Sequence, residues 1–384
     1  MKRNIIMKGC RIKSNKIDID FDYISNCTVV HSSIYNYPNK SLIVEFKRPT
    51  NIISTLEGPR EDIKFIGNHY APIECWRTGH ENGGMDALME RVYKTVGLTE
   101  TVSSFLFTGA DIENMSITYR CCGKMHICAL ITAGVKSNAI RTSQDEGGFY
   151  EQGTINIIIL TNRSLSLKAM TGAVITATEA KTAALQDLDI RSSFTPLINQ
   201  ATGTGTDNII IAEGEGDKIE YSGGHTKMGE MIAKTVYDGV RDAVFKQNGV
   251  RDRRDPFQRF MERDINLSDA VSNDLFDHGI TKDGFLQELE AILLKPEYRS
   301  FMESSFAVSD HYEKGLISDL GSFKSWCKAM GEGISGREIA DQVDFIVSDK
   351  IPEALRMVLN YLFNGIYKRQ SSGIEKSSVT LKDG

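Results

Sequence analysis

Apolar positions in the first 165 residues come in short runs rather than helical stripes. Residues 42–46 (LIVEF) and 51–54 (NIIS) read as strands, with turns at Gly58-Pro59 and Gly83-Gly84. One helical stretch, 86–96, interrupts them. Strands are expected again at 103–108, 115–120, 127–132 and 154–160, and two of these runs are so continuously apolar that both faces should be buried. The period then changes. From 167 to 188, Met170, Ala173, Val174, Ala177, Ala184 and Leu188 form a helical stripe; Met228, Ile232, Val236, Val240 and Val244 form a second, ending near Gly249. Hairpin-length connections precede both helices, so the predicted fold class is α+β, a layered mixed or antiparallel sheet packed with helices.

After Asn248 the texture becomes GVRDRRDPFQRF, a charged stretch with a proline that reads as a boundary. Helices are expected at 282–294, 322–330, 337–347 and 352–367, with Pro352 near a helix start, where its missing N–H costs little. The expected organisation is an α+β domain over 1–248 and an all-α region over 249–384 of open role. The polar tail from 370 to 384 should fray. No internal repeat is visible.

Hydrophobic residues make up 41% and charged residues 25%, the ordinary globular balance. A net charge of −6 argues against a broad nucleic-acid footprint. The opening MKRNIIMKGC has too short an apolar run for a signal peptide, and no stretch approaches the roughly 20 residues needed to span a bilayer, so a cytoplasmic protein without membrane contact is expected. The seven cysteines are scattered and odd in number, which predicts free thiols. Cys121, Cys122, His126 and Cys128 share one predicted hairpin. Their metal reading is weaker than that of structural cysteines.

The stretch NQATGTGTDNIII at 199–211 invites a phosphate-loop reading. Thr206 and Asp207 follow Gly205 where a Walker loop needs Lys and Ser/Thr, and Asn208 stands where a dinucleotide fingerprint needs its third glycine. Small residues whose N–H groups could meet a polar ligand remain, beside the plainer reading of a tight turn.

Taken in order, TAGVKSNAIRTS (132–143), GTINIIILTN (153–162), TATEAKTAALQDLDIRS (176–192), NQATGTGTDNIII and GGHTKMGEMIAKTVYDGV (223–240) resemble the CbiZ-type adenosylcobinamide amidohydrolases. The resemblance extends back to about residue 42, through TGADIENM (108–115), and stops near 248. It implies corrinoid salvage, with hydrolysis of the amide joining aminopropanol to the corrin. The corrinoid is then the substrate and no cofactor is implied; the partner is adenosylcobinamide, and a homo-oligomer is possible.

Amide hydrolysis needs a nucleophile, a proton acceptor and donors for an oxyanion. His225, after two glycines at a helix start, is the candidate base, with Asp207 to orient it; Glu179, off the apolar stripe of its helix, faces either a pocket or solvent, the commoner place for a helical Glu. The N–H groups of Gly203, Thr204, Gly205 and Thr206 are candidate oxyanion donors. Asn138, Thr154 and Asn156 could pair with the corrin's peripheral amides. Direct attack by water is favoured over the hydroxyls of Thr154, Thr204, Thr206 and Ser137. A metal held by His225, Asp207 and Glu230 lacks a supporting ligand spacing. The competing class is a non-catalytic corrinoid-binding module with a partner-binding helical tail.

Overall fold

The computed structural model describes residues 3–7, 10–146, 153–271, 281–346 and 348–380. The chain divides into two compact units: Met1–Phe194 with Gln200–Asp252, and Thr195–Asn199 with Arg253–Gly384.

In the first unit the strands are β1 (Arg3–Met7), β2 (Cys10–Lys16), β3 (Ile24–Ile34), β4 (Tyr37–Ser54) and β5 (Gly58–Tyr70), then helices α1 (Ile73–Glu81) and α2 (Gly84–Val96). There follow β6 (Ser103–Thr108), β7 (Ser116–Cys122), β8 (Met125–Ala133), β9 (Ala139–Ile140), β10 (Ile155–Thr161), β11 (Arg163–Leu165) and α3 (Leu167–Asp187). The unit closes with β12 (Gly203–Thr204), β13 (Asn208–Ala212), β14 (Gly216–Ile219) and α4 (Lys227–Asn248). The class is α+β, as expected.

Among the described residues, the main sheet runs β1-β2-β3-β4-β13-β10-β8-β7, and it branches at β4, whose other partner β5 carries β6. The pairings are mixed: β10 lies parallel to β13 and antiparallel to β8. The two sequence runs 42–46 and 51–54 belong to the single long strand β4.

The apolar runs land where their composition requires. Along β10, Ile157 and Ile159 face α3 and α4, whereas Ile158 and Leu160 face the side chains of β3, β4 and β5. Each such burial contributes about 1.5–3 kcal/mol, so β10 is a central strand because neither face can be given to water. Helix α3 starts at Ser166, whose hydroxyl accepts from the Ala169 N–H, and α4 starts at Thr226 and ends at Gly249 in the left-handed region. At Gly239, α4 comes so close to the sheet that a Cβ would lie 2.7 Å from Ile131 and 2.8 Å from Thr118. Helix α1 was not anticipated; together with α2 it covers Phe105 and Phe107 of β6.

The second unit is all-α: α5 (Pro256–Glu262), α6 (Leu267–Ala270), α7 (Lys282–Leu293), α8 (Pro296–Glu313), α9 (Gly321–Ser335) and α10 (Glu353–Thr380). Phe260, Phe285, Phe301, Phe306, Phe345 and Phe363 build its core. The charged stretch read as a boundary runs directly into α5, started by a capping box at Asp255 with Pro256 behind it. The helix expected at 337–347, of which residue 347 lies outside the described residues, does not form over 337–346. Asn360 and Asn364 of α10 take up its backbone, accepting from the N–H groups of Phe345 and Val343 at 3.0 and 2.9 Å, and so compete with helical bonding. Helix α10 continues to Thr380 instead of ending near 367.

Candidate active site

Strands β10 and β13 lie side by side, in register from Asn156 and Asn208 onward, so their amino-terminal ends come together. Asp207 closes that end. Its Oδ1 accepts from the Ile155 N–H at 2.9 Å and from the Thr204 hydroxyl; its Oδ2 accepts from the Thr204 N–H at 3.0 Å and pairs with the Lys181 ammonium of α3. Both charges are largely buried, at 9% and 13% side-chain exposure, so each needs the other. Asp207 therefore fixes the position of Thr154, the residue immediately before Ile155.

Thr154 is buried, and its hydroxyl donates to the Thr206 carbonyl at 2.6 Å. Beneath it runs a polar chain through the core. Asn156 Nδ2 donates to Asn68 Oδ1 at 2.9 Å and to the Phe107 carbonyl at 2.8 Å, and Asn68 Nδ2 donates to the Thr132 hydroxyl at 2.9 Å. These bonds tie β5 and β6 to β8 and β10 at one point. Buried polar groups are retained when satisfied this fully, because an orphan would cost about 1–3 kcal/mol.

Asn138 approaches from the other side. Its Nδ2 donates to the Gly153 carbonyl at 2.9 Å, and the Thr206 hydroxyl donates to the same oxygen at 3.3 Å. Asn138 Oδ1 is buried without a hydrogen-bond partner among the described residues.

These groups stand at the wall of a cleft of about 790 Å³. Ile73, Trp76 and Met85, with Phe107, give it apolar walls; Gly153, Thr154 and Thr206 form the polar end; Arg77 and Glu81 bring charge and His80 an imidazole. Trp76 is held by its indole N–H, which donates to the Ala71 carbonyl at 2.8 Å, and it meets the Phe107 ring edge-on at 6.2 Å. Behind Phe107 lies the fully buried His69, whose Nε2–H donates to Asn39 Oδ1 at 3.0 Å while Nδ1 accepts from Ser41 at 2.8 Å. Burial pushes this imidazole down to about 3, so it stays neutral. A mostly apolar concavity with a few converging polar groups is the usual form of a small-molecule site.

The residues singled out in the sequence separate into two groups. Thr154 and Thr206 line the cleft, and Asn138 reaches the Gly153 carbonyl beside it. Asn156 is fully buried in the core below Thr154. The loop does not offer free N–H donors at Thr204 and Gly205: the first is taken by Asp207 and the second by the Asn138 carbonyl at 3.3 Å. Gly203 is covered by Asp207 and Lys181, and Gly205 lies against the Asn138 carboxamide.

His225 is not joined to Asp207. It is exposed on the turn before α4, and that turn packs on the first half of α3, where Ser222 bonds to Ala169 and Thr176. Lys181, the partner of Asp207, is nine residues beyond Gly172 on that helix, a rise of about 13 Å. Glu179 is exposed to solvent. Cys121 and Cys122 are exposed and Cys128 is buried in the β7–β8 hairpin, and no cluster of three or more potential ligands occurs among the described residues.

Helix α1, with Trp76, Arg77 and His80, went unread. Its signals were Pro72 ahead of the first turn and Ile73, Trp76 and His80 at helical spacing.

A sequence model of the CbiZ family, adenosylcobinamide amidohydrolase, matches residues 25–252. The chain belongs to the adenosylcobinamide amidohydrolase family. Among its relatives, an uncharacterized protein of Methanocaldococcus jannaschii is 40% identical over 230 residues, 55% of this chain and 88% of that one. The adenosylcobinamide amidohydrolase of Methanosarcina mazei is 31% identical over 218 residues, 54% of this chain and 95% of its own. The solved L-aminopeptidase D-Ala-esterase/amidase of Ochrobactrum anthropi aligns over 59% of this chain and 85% of its own at 8% identity, with a TM-score of 0.31, too low to transfer any chemistry. The family match covers the cleft and its polar end and stops at the boundary of the helical unit. It supports an amide hydrolase. No helix among the described residues is long and apolar enough to cross a membrane.

Proposed function

We propose that the protein hydrolyses the aminopropanol amide of adenosylcobinamide, releasing adenosylcobyric acid, with the Thr154 hydroxyl as the attacking group. The observation that carries this reading is the convergence at the cleft wall: a buried threonine hydroxyl, and two side-chain donors, Asn138 Nδ2 and Thr206 Oγ1, aimed at a carbonyl oxygen one residue away. Acyl transfer needs a nucleophile beside donors for the developing oxyanion; both donors are held here by the Gly153 carbonyl and serve a substrate once that oxygen has left them.

Of the other hydroxyls considered, Thr204 is committed to Asp207 and Thr206 serves as a donor, while Ser137 is exposed. The apolar walls suit the face of a large ring, and Trp76 and Phe107 give it a rigid surface to lie on. Asp207 and Lys181 position the strand end that carries the nucleophile. A metal is not required by this reading, nor is a cofactor.

The test is incubation of purified protein with adenosylcobinamide under dim light, followed by separation of the corrinoids. Formation of adenosylcobyric acid and aminopropanol is expected. Tight binding without product would favour the binding-module reading instead.

A further inference from the structure

The backbone itself passes through the site: Gly153 and Thr154 both line the cleft. The Gly153 carbonyl oxygen holds both of the side-chain donors described above, at 2.9 and 3.3 Å. Donors of this kind stabilise charge that develops on the oxygen during attack. The Thr154 hydroxyl belongs to the residue that supplies the nitrogen of the Gly153–Thr154 peptide, so its attack on the Gly153 carbonyl carbon closes a five-membered ring.

The residues on either side are clamped. The Gly134 N–H donates to the Thr154 carbonyl at 3.0 Å, and the Ile155 N–H is held by Asp207. Gly153 has φ +149°, and a Cβ there would lie 2.9 Å from the Gly134 carbonyl oxygen and 3.0 Å from Asn138 Cβ. Only glycine can present its carbonyl between those donors.

From this geometry we infer that the chain cuts itself between Gly153 and Thr154, making Thr154 the amino-terminal residue of the working enzyme. The Thr154 oxygen attacks the Gly153 carbonyl carbon, and its proton passes to the Thr154 nitrogen as the C–N bond breaks. An ester then links Gly153 to the Thr154 side chain. One water hydrolyses that ester, leaving a carboxylate on Gly153 and a free α-amine on Thr154. The amine is placed to take the proton of its own hydroxyl in later turnovers, as in amino-terminal threonine nucleophiles generally. Asn138 and Thr206, released from Gly153, are then available to the substrate carbonyl. The inference rests on the reading of Thr154 as the reacting hydroxyl.

The experiment is expression of the full chain, with intact mass and amino-terminal sequencing of the purified protein. Two pieces are expected, residues 1–153 and 154–384, the second beginning Thr-Ile-Asn-Ile. Thr154→Ala should remain one piece with an unchanged circular-dichroism spectrum, Thr154→Ser should still be cut, and Asn138→Ala should be cut about a hundredfold or more slowly. Wild-type protein that stays in one piece yet hydrolyses adenosylcobinamide would overturn the self-cleavage and leave the substrate reading standing. Protein cut at Thr154 that leaves adenosylcobinamide untouched would support the self-cleavage and remove that substrate. A Thr154→Ala chain cut as fast as wild type would assign the cut to a foreign protease and overturn the inference.

Discussion

The two ends of the α3-covered sheet carry the same kinds of residue but use them differently. At the end where β10 and β13 begin, Asp207, Lys181, Asn138, Asn156 and Thr154 are largely buried and hydrogen-bonded to one another's elements. Near the start of α4, His225, Lys227 and Glu230 are exposed or nearly so; Glu230 pairs with Lys227 and with Lys234 one turn on, as solvated helix charges do. Polar groups carried into a core at a cost have to be matched there, whereas polar groups at a helix start cap it. Burial separates the two groups, and burial is what a residue's neighbours in sequence do not reveal.

That contrast can be broken or sharpened in four ways. The largest effect should follow Asp207→Ala, which strands the Lys181 charge inside and frees the N–H groups of Ile155 and Thr204: a loss of about 3–5 kcal/mol in urea unfolding, much of it restored by adding Lys181→Met. Asn138→Ala should lower kcat for adenosylcobinamide about 10²–10³-fold, with KM changed far less. Equal losses in binding and turnover would make Asn138 a substrate-holding residue instead.

Third, acid should find His69. Its folded pKa of about 3 lies below the ordinary value of 6.5, so the unfolded chain binds the proton that the folded chain refuses. The contribution is fully present above pH 6.5 and is lost as pH falls toward 3, by up to about 1.4 kcal/mol per unit. In paired urea titrations the His69→Gln variant should show a shallower slope over that window; an identical slope would mean that His69 is reached by water. The smallest effect belongs to His225→Ala, whose stability should stay within about 0.5 kcal/mol of wild type.

Much of the fold was legible in the sequence because its signals are local. The strand at 103–108, the helix from 167 and the helix ending at Gly249 follow directly from apolar period and capping residues. The helix expected at 337–347 failed because its competitors, Asn360 and Asn364, come from another element. Of the residues singled out, Thr154 and Thr206 line the cleft and Asn138 lies beside it, while the Thr204 and Gly205 N–H groups of the GTGT loop are taken by Asp207 and by the Asn138 carbonyl. The pairing of Asp207 with His225 rested on residue type; its actual partner, Lys181, read as one more polar position on a helix. Trp76 and Phe107 were hidden because they meet only when α1 folds over β6.

The most direct test compares Thr154→Ala and His225→Ala with wild type in one adenosylcobinamide assay, normalised to folded protein. We expect Thr154→Ala to lose about four to six orders of magnitude in kcat, as removal of a nucleophile does, and His225→Ala to turn over within about twofold of wild type. A His225→Ala enzyme that is nearly dead beside a Thr154→Ala enzyme that is nearly intact would place the chemistry at the other end of the sheet.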